Sequence, residues 1–167
     1  RFYQAAKPYN PDFVVRLTSD CPLIDSSLID MIIEATVNSN VDYCSNTLIE
    51  SYPDGQDVEV FSFNSLKKAW EESVLLSDRE HVTPYMKKNF KVLNIHSNNM
   101  KFNKVRMTVD EPNDFVVIKR LVDKLGLNEK WENYTNLYLN DKTISNTNDS
   151  ITRNEGYIKS IKNDLIN

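Results

Sequence analysis

Short apolar runs and amphipathic stretches alternate along the chain as far as Leu125, as expected of an α/β protein. The run Asp12-Phe13-Val14-Val15-Arg16-Leu17 follows the turn signal Pro8-Tyr9-Asn10-Pro11 and reads as a strand covered on both faces. It stops at the polar Thr18-Ser19-Asp20-Cys21-Pro22. Leu28, Ile29, Ile32, Ile33 and Thr36 then recur at helical spacing, with Asp25 or Ser26 placed to cap the helix. Val41 to Ser45 predicts the next strand. Strand, helix and strand in this order predict a parallel pair joined by a crossover helix.

Beyond the turn Ser51-Tyr52-Pro53-Asp54-Gly55, the segment Val58 to Phe63 alternates like a strand. Asn64 is placed to cap a helix from Ser65 to Val74, with Leu66, Ala69, Trp70 and Val74 as its buried stripe. Ser77-Asp78-Arg79-Glu80 has the form of a capping box, so another helix is expected there, which Pro84 should break unless it begins a new turn. Lys91 to His96 and Val105 to Val109 predict two further strands, and Phe115 to Leu125 an amphipathic helix stopped by Gly126. Residues 127–167 are polar and rich in asparagine, a C-terminal extension expected to pack on the domain through Trp131, Tyr134 and Leu137. No repeat and no linker divides the chain, so residues 1–167 are read as a single domain.

Composition narrows the class. The 167 residues are 40% hydrophobic and 26% charged, the balance of an ordinary globular protein. A net charge of −4, with acids and bases interspersed, argues against a nucleic-acid partner. No stretch approaches the ~18 apolar residues of a membrane span, and no signal peptide is visible. Cys21 and Cys44 lack the spacing of a zinc site or redox pair and read as reduced, buried cysteines of a cytoplasmic protein. The opening Arg1-Phe2-Tyr3-Gln4-Ala5-Ala6-Lys7 reads as the tail of a helix already under way, so upstream sequence is expected to be missing; a processed mature protein is the alternative.

Two segments share one design that bears on chemistry. In Val14–Pro22 and Val105–Pro112 an apolar strand runs into an aspartate (Asp20, Asp110), a proline follows, and a helix begins. Ligands of open α/β sheets bind beyond the carboxyl ends of the strands. Both aspartates are therefore expected to face one crevice, where paired carboxylates suit a hard divalent cation that also holds phosphates. The same residues also cap helices well, and the pattern alone leaves both readings open.

Five stretches carry a family resemblance: Arg16 to Asp25, Tyr52 to Phe61, Arg79 to Tyr85, Arg106 to Asp114, and the tail Arg153 to Ser160. Together they resemble the spore-coat-polysaccharide branch of the CMP-Kdo and acylneuraminate cytidylyltransferases, in the same order and over essentially the whole chain. The resemblance implies a Rossmann-like α/β/α sandwich of the nucleotidyltransferase type, with a mixed, mostly parallel sheet. It implies transfer of CMP from CTP to a sugar acid with release of pyrophosphate, for a surface or spore-coat polysaccharide. Asp20 and Asp110 would then be the Mg²⁺ ligands. The family's opening glycine- and arginine-containing triphosphate loop has no match here: the only glycines are Gly55, Gly126 and Gly156. That departure agrees with a missing N-terminal strand and loop, and the fragment itself is expected to be inactive. Related enzymes dimerise, which makes a homodimer an expectation.

Other residues follow from the same match. Asp57 and Glu59 alternate and so share a strand face, where they are expected to grip acceptor hydroxyls. Arg79 and His81 open a predicted helix near the acceptor region, and Ser19 adjoins Asp20; all three are substrate-binding candidates. Arg16 and Arg106, embedded in strands before the two aspartates, are catalytic candidates that could neutralise a phosphate or carboxylate, or else form buried ion pairs with neighbouring acids. His96 is read as structural. Two rival functions remain: a glycosyltransferase using Asp57-Val58-Glu59 in the manner of Asp-x-Asp, and a non-catalytic module of the same fold.

Overall fold

A computed structural model of the chain describes residues 1–154. After a first short helix, α1 (Phe2–Ala6), come β1 (Phe13–Arg16), α2 (Ser26–Ser39), β2 (Tyr43–Ser45) and β3 (Glu59–Ser62). Then follow α3 (Phe63–Glu72), α4 (Leu76–His81), α5 (Pro84–Asn89) and β4 (Val92–Asn94), and finally α6 (Pro112–Leu125), α7 (Trp131–Asn140) and α8 (Lys142–Ser145). None of these helices is long and apolar enough to cross a membrane.

The strands form one mixed sheet in the order β1-β3-β2-β4. Here the predicted topology needs correction. β1 and β2 run in the same direction, but they are not neighbours: β3 lies between them, antiparallel to both. The parallel pair is β2 with β4. Val105–Val109 is likewise not a strand. It is an extended segment with a single bridge, Arg106 to Asp54, closed by bonds from Asp54 N to Val105 O (2.9 Å) and from Met107 N to Asp54 O (2.7 Å).

The pleat divides the sheet's side chains between two layers of helix. Cys44, Val58 and Val60 pack with Leu28 and Ile32 of α2, while Tyr43 and Phe61 turn to the other face against Tyr3, Leu66, Ala69 and Met86 of α1, α3 and α5. A third cluster joins Val105 and Met107 to Val117, Ile118 and Leu121 of α6 and to Tyr134, Tyr138 and Ile144. β1 is an edge strand of the described sheet, and Phe13 and Val15 on it stay exposed.

Helix boundaries follow the available caps. Asp25 caps α2 through Ser27 N at 2.8 Å, as expected. Ser62, not Asn64, caps α3, accepting from Ser65 N at 3.0 Å. α4 starts at Leu76, one residue ahead of the expected cap Ser77, and its N-cap Leu75 offers no side-chain cap. Pro84 begins a new helix, α5, at a position where its missing N–H costs nothing. A capping box forms between Glu111 and Asp114, opening α6.

Gly55 turns at φ +103°, and a β-carbon there would lie 2.5 Å from the Met107 carbonyl carbon. Backbone strain and steric clash with main chain both oppose any side chain. Gly55→Ala is therefore expected to cost about 2–4 kcal/mol, read as a fall in Tm of roughly 5–15 °C. An unchanged Tm would contradict the close approach of residues 54–55 to 105–108.

Candidate active site

A cleft of about 710 Å³ opens beyond the end of β1, between the segments at 16–21, 47–59, 81–87 and 106–111. Two backbone-directed bonds bring the paired aspartates to it. Val109 N–H donates to Asp20 O at 2.8 Å, and the Thr108 hydroxyl donates to the same oxygen at 3.2 Å. Asp20 and Asp110 both line the cleft, and the side chain of Asp110 is 53% exposed.

Behind them lies Arg106, buried and fully engaged. Its Nε and Nη2 grip Asp114 at 2.9 and 2.8 Å, Nη1 reaches Asp54 at 2.9 Å, and Nη2 also reaches Asp110 at 2.9 Å. Of the two roles open to Arg106, the geometry matches the buried ion pair. Burial works against the charges, yet these partners raise the guanidinium's pKa. Burial would likewise raise Asp114, but Arg106, the Asn148 amide and the backbone N–H groups of Glu111 and Asp110 hold it below the usual carboxylate range.

Arg16 is differently placed. It pairs with buried Glu59, directly opposite it in the β1–β3 ladder. Glu59 also accepts from Lys87 Nζ at 3.0 Å, the Tyr43 hydroxyl at 2.5 Å and the Thr83 hydroxyl at 2.8 Å. Burial pushes its carboxyl up, but Lys87 and Arg16 with the two hydroxyls overcome this and hold it at about 2. Asp57 faces the cleft on the same side, bonded to Arg153 Nη2 at 2.7 Å. One cation does not offset its burial among Asp54, Glu59 and Glu50, and its carboxyl is pushed up to about 7. With both acids holding cations, neither stands as a free member of an Asp-x-Asp pair.

His81 lines the cleft at the end of α4, whereas Ser19 and Arg79 do not. Ser19 is exposed in the turn before Asp20, and Arg79 donates to Ser73 O at 3.0 Å beside a separate small cavity. Sequence reasoning passed over Asp54, Lys87 and Arg153. Asp54 sat in a turn, Lys87 on a short helix whose charge is mostly solvated, and Arg153 within the matched tail, of which residues 155–160 lie outside the described residues.

The charge balance bears on a metal. Among the described residues, Asp20, Glu50, Asp54, Asp57, Glu59, Asp110 and Glu111 line the cleft with Arg16, Lys87 and Arg106, while Arg153 pairs with Glu50, Asp54 and Asp57. Cys21, the soft donor beside Asp20, is held protonated by burial, which pushes its thiol up to about 12. What remains at the mouth is hard carboxylate oxygen, the donor type of Mg²⁺. Among the described residues no three His, Cys, Asp or Glu side chains converge into a complete metal cage. Two carboxylates plus waters and substrate phosphates is the arrangement Mg²⁺ commonly takes, so Asp20 and Asp110 fit it.

Comparison with known proteins gives a consistent picture. A sequence model of the family described as "Cytidylyltransferase" matches residues 1–149. An uncharacterized protein of Methanocaldococcus jannaschii is 36% identical over 151 residues, covering 80% of this chain and 61% of that protein. The spore coat polysaccharide biosynthesis protein SpsF of Bacillus subtilis is 29% identical over 131 residues, covering 75% of this chain and 53% of SpsF. The structure of a cytidylyltransferase from Leptospira borgpetersenii superposes with a TM-score of 0.79 at 27% identity, covering 90% of this chain and 64% of that one. The chain thus spans between about half and two-thirds of the length of these relatives.

Asp57 makes stability depend on pH in a definite direction. Its folded pKa, about 7, lies above the ordinary carboxylate value of roughly 3.9. Stability from this group is complete below about pH 4 and is lost as pH rises through about 7, because only the unfolded chain ionises freely in between. Asp57→Asn should therefore gain stability relative to wild type between pH 5 and pH 8, by about 1 kcal/mol or more, in urea melts at each pH. An equal difference at both pH values would show that Asp57 ionises normally.

Proposed function

The chain belongs to the cytidylyltransferase family, and on that premise we propose that it transfers CMP from CTP to a hydroxyl of a sugar acid, releasing pyrophosphate. One observation supports the reading: Asp20 and Asp110, from segments far apart in sequence, both line one acid-rich cleft, where the Asp20 carbonyl accepts from Thr108 and Val109 beside Asp110. The likeness to SpsF, named for spore coat polysaccharide biosynthesis, favours a product destined for a surface polysaccharide. The glycosyltransferase alternative loses support because Asp57 and Glu59 are already paired with Arg153, Arg16 and Lys87.

The reaction forms a bond from the acceptor oxygen to the α-phosphorus and breaks the bond from that phosphorus to the bridging oxygen of pyrophosphate. Alignment and charge neutralisation supply most of the catalysis. Mg²⁺, when bound, neutralises triphosphate oxygens and lowers the pKa of the attacking hydroxyl. Asp20 and Asp110 would hold that ion. Arg106 fixes Asp110 through its Oδ2, and no other bond engages Oδ1 among the described residues. His81, which also lines the cleft, would contact the acceptor.

Asp20→Asn keeps the shape but removes the charge that attracts the metal, and should slow turnover at least ~10²-fold. Asp110→Asn should behave alike, with the double variant little worse than either single, since both ligands serve one ion. The assay is pyrophosphate release from CTP with candidate sugar acids at varied Mg²⁺, on the complete gene product. Near-normal turnover by Asp20→Asn at saturating Mg²⁺ would sink the assignment. His81→Ala is expected to act on a different parameter, raising the acceptor KM while the response to CTP and Mg²⁺ stays nearly constant; a changed Mg²⁺ response instead would move His81 to the metal side.

A further inference from the structure

The bases of the cleft differ in how much of their charge is left over. Arg106 is surrounded by Asp54, Asp110 and Asp114, and Arg153 by Asp57, Asp54 and Glu50. Arg16 and Lys87, by contrast, share a single carboxylate, Glu59, and the three together carry one net positive charge. Glu59 is 4% exposed at its side chain, whereas Arg16 and Lys87 are 22% and 30% exposed, and both line the cleft. The Nε of Arg16 is buried and bonds to nothing among the described residues.

The two cations are also held in place. Lys87 lies over the Tyr43 ring at 5.7 Å and reaches the Thr47 hydroxyl at 3.4 Å, while Arg16 lies over the Phe2 ring at 5.8 Å. Glu59 is fixed in turn by Tyr43 and Thr83. A buried carboxylate anchored this way works as a strut that presents two cations to the cleft, not as a group that grips acceptor hydroxyls. Preorganised cations at a partly desolvated site bind anions far better than mobile surface lysines do.

We propose that Arg16 and Lys87, held astride Glu59, form the subsite that takes the carboxylate of the acceptor. Among the described lining residues acids outnumber bases elsewhere, and Arg106 there is matched by several carboxylates, so an incoming carboxylate is favoured at this pair. Phosphate groups of CTP are the other anions of the reaction, and they have the two-aspartate metal site to go to. This inference rests on the sugar-acid reading of the function and adds to it the place where the acid group is read, with Lys87 as a specificity-determining residue.

The test separates the two levels. Binding is titrated calorimetrically with a panel of free sugar acids, an acylneuraminate among them, and with their neutral methyl esters. Wild type is expected to favour one acid over its ester by about ten- to a hundredfold, the usual worth of hydrogen bonds to charged groups. Lys87→Gln and Arg16→Gln should reduce that preference to about twofold, Lys87→Arg should keep most of it, and CTP affinity should stay within about twofold. A second measurement needs no variant: the preferred acid, but not its ester, should slow acetylation of Lys87 read by mass spectrometry. Four results would overturn the proposal: no acid preferred over its ester, unchanged preference in both glutamine variants, no protection of Lys87, or loss of CTP binding in place of acid binding. If acids bind with this preference but no pyrophosphate is released from CTP, the function fails while the subsite stands.

Discussion

The guanidinium of Arg106, buried and bonded to Asp54, Asp110 and Asp114, ties the loop before β3, the approach to α6 and the start of α6 to one point. Asn148, beyond α8, joins the same knot through the Arg106 carbonyl at 3.2 Å and Asp114 at 2.8 Å. Removing one partner from a buried pair of this kind typically costs about 3–5 kcal/mol, because the remaining charge keeps its desolvation penalty without compensation. The cost would reach further here. Asp114 Oδ2 also accepts from the backbone of Asp110 and Glu111, so the same carboxylate that satisfies Arg106 shapes the turn presenting Asp110 to the cleft. Stability and site geometry therefore depend on one set of hydrogen bonds.

A similar economy explains why two carboxylates two residues apart behave so differently. Glu59 and Asp57 both face the cleft side, and burial opposes ionisation of each. Glu59 meets two cations and two hydroxyls and is ionised throughout the working range. Asp57 meets one arginine and three neighbouring acids, and titrates near neutrality. The number and sign of partners decide the outcome, not depth alone. On the proposed reading, a divalent cation held by Asp20 and Asp110 would add positive charge to this acid-rich wall as well as serve the reacting phosphates.

Much of this was legible in the sequence. The helices α2 and α6 announced themselves by period and stop signals, and the repeated strand–aspartate–proline design pointed to two residues that the fold does bring to one cleft. Local signals failed where tertiary contacts decide. Val105–Val109 has the composition of a strand, yet Gly55 lets the loop at 54–55 approach so closely that the segment makes one bridge and then passes on. Ser62 outcompeted Asn64 as a cap because β3 ends directly in α3, leaving no turn between them. Ser19 and Arg79 lay inside matched motifs, but proximity in sequence to Asp20 and His81 does not set the direction of a side chain. Lys87 carried no local mark, since the carboxylate that pairs with it lies 28 positions away in the chain and is adjacent only in space.

The most consequential gap between pattern and structure is the position of β3. Read as direct neighbours, β1 and β2 would set Arg16 beside β2, a strand of Tyr43, Cys44 and Ser45 with no carboxylate to hold it. Insertion of β3 in the opposite direction places Glu59 directly across from Arg16, and residues paired across an antiparallel ladder point to the same face. β2 on the other side of β3 supplies Tyr43, whose hydroxyl bonds the same carboxylate. Strand order thus creates the chemistry on this wall of the cleft: without the reversed middle strand, Arg16 would be an unpaired charge at a sheet edge, and Lys87 would have nothing to reach toward.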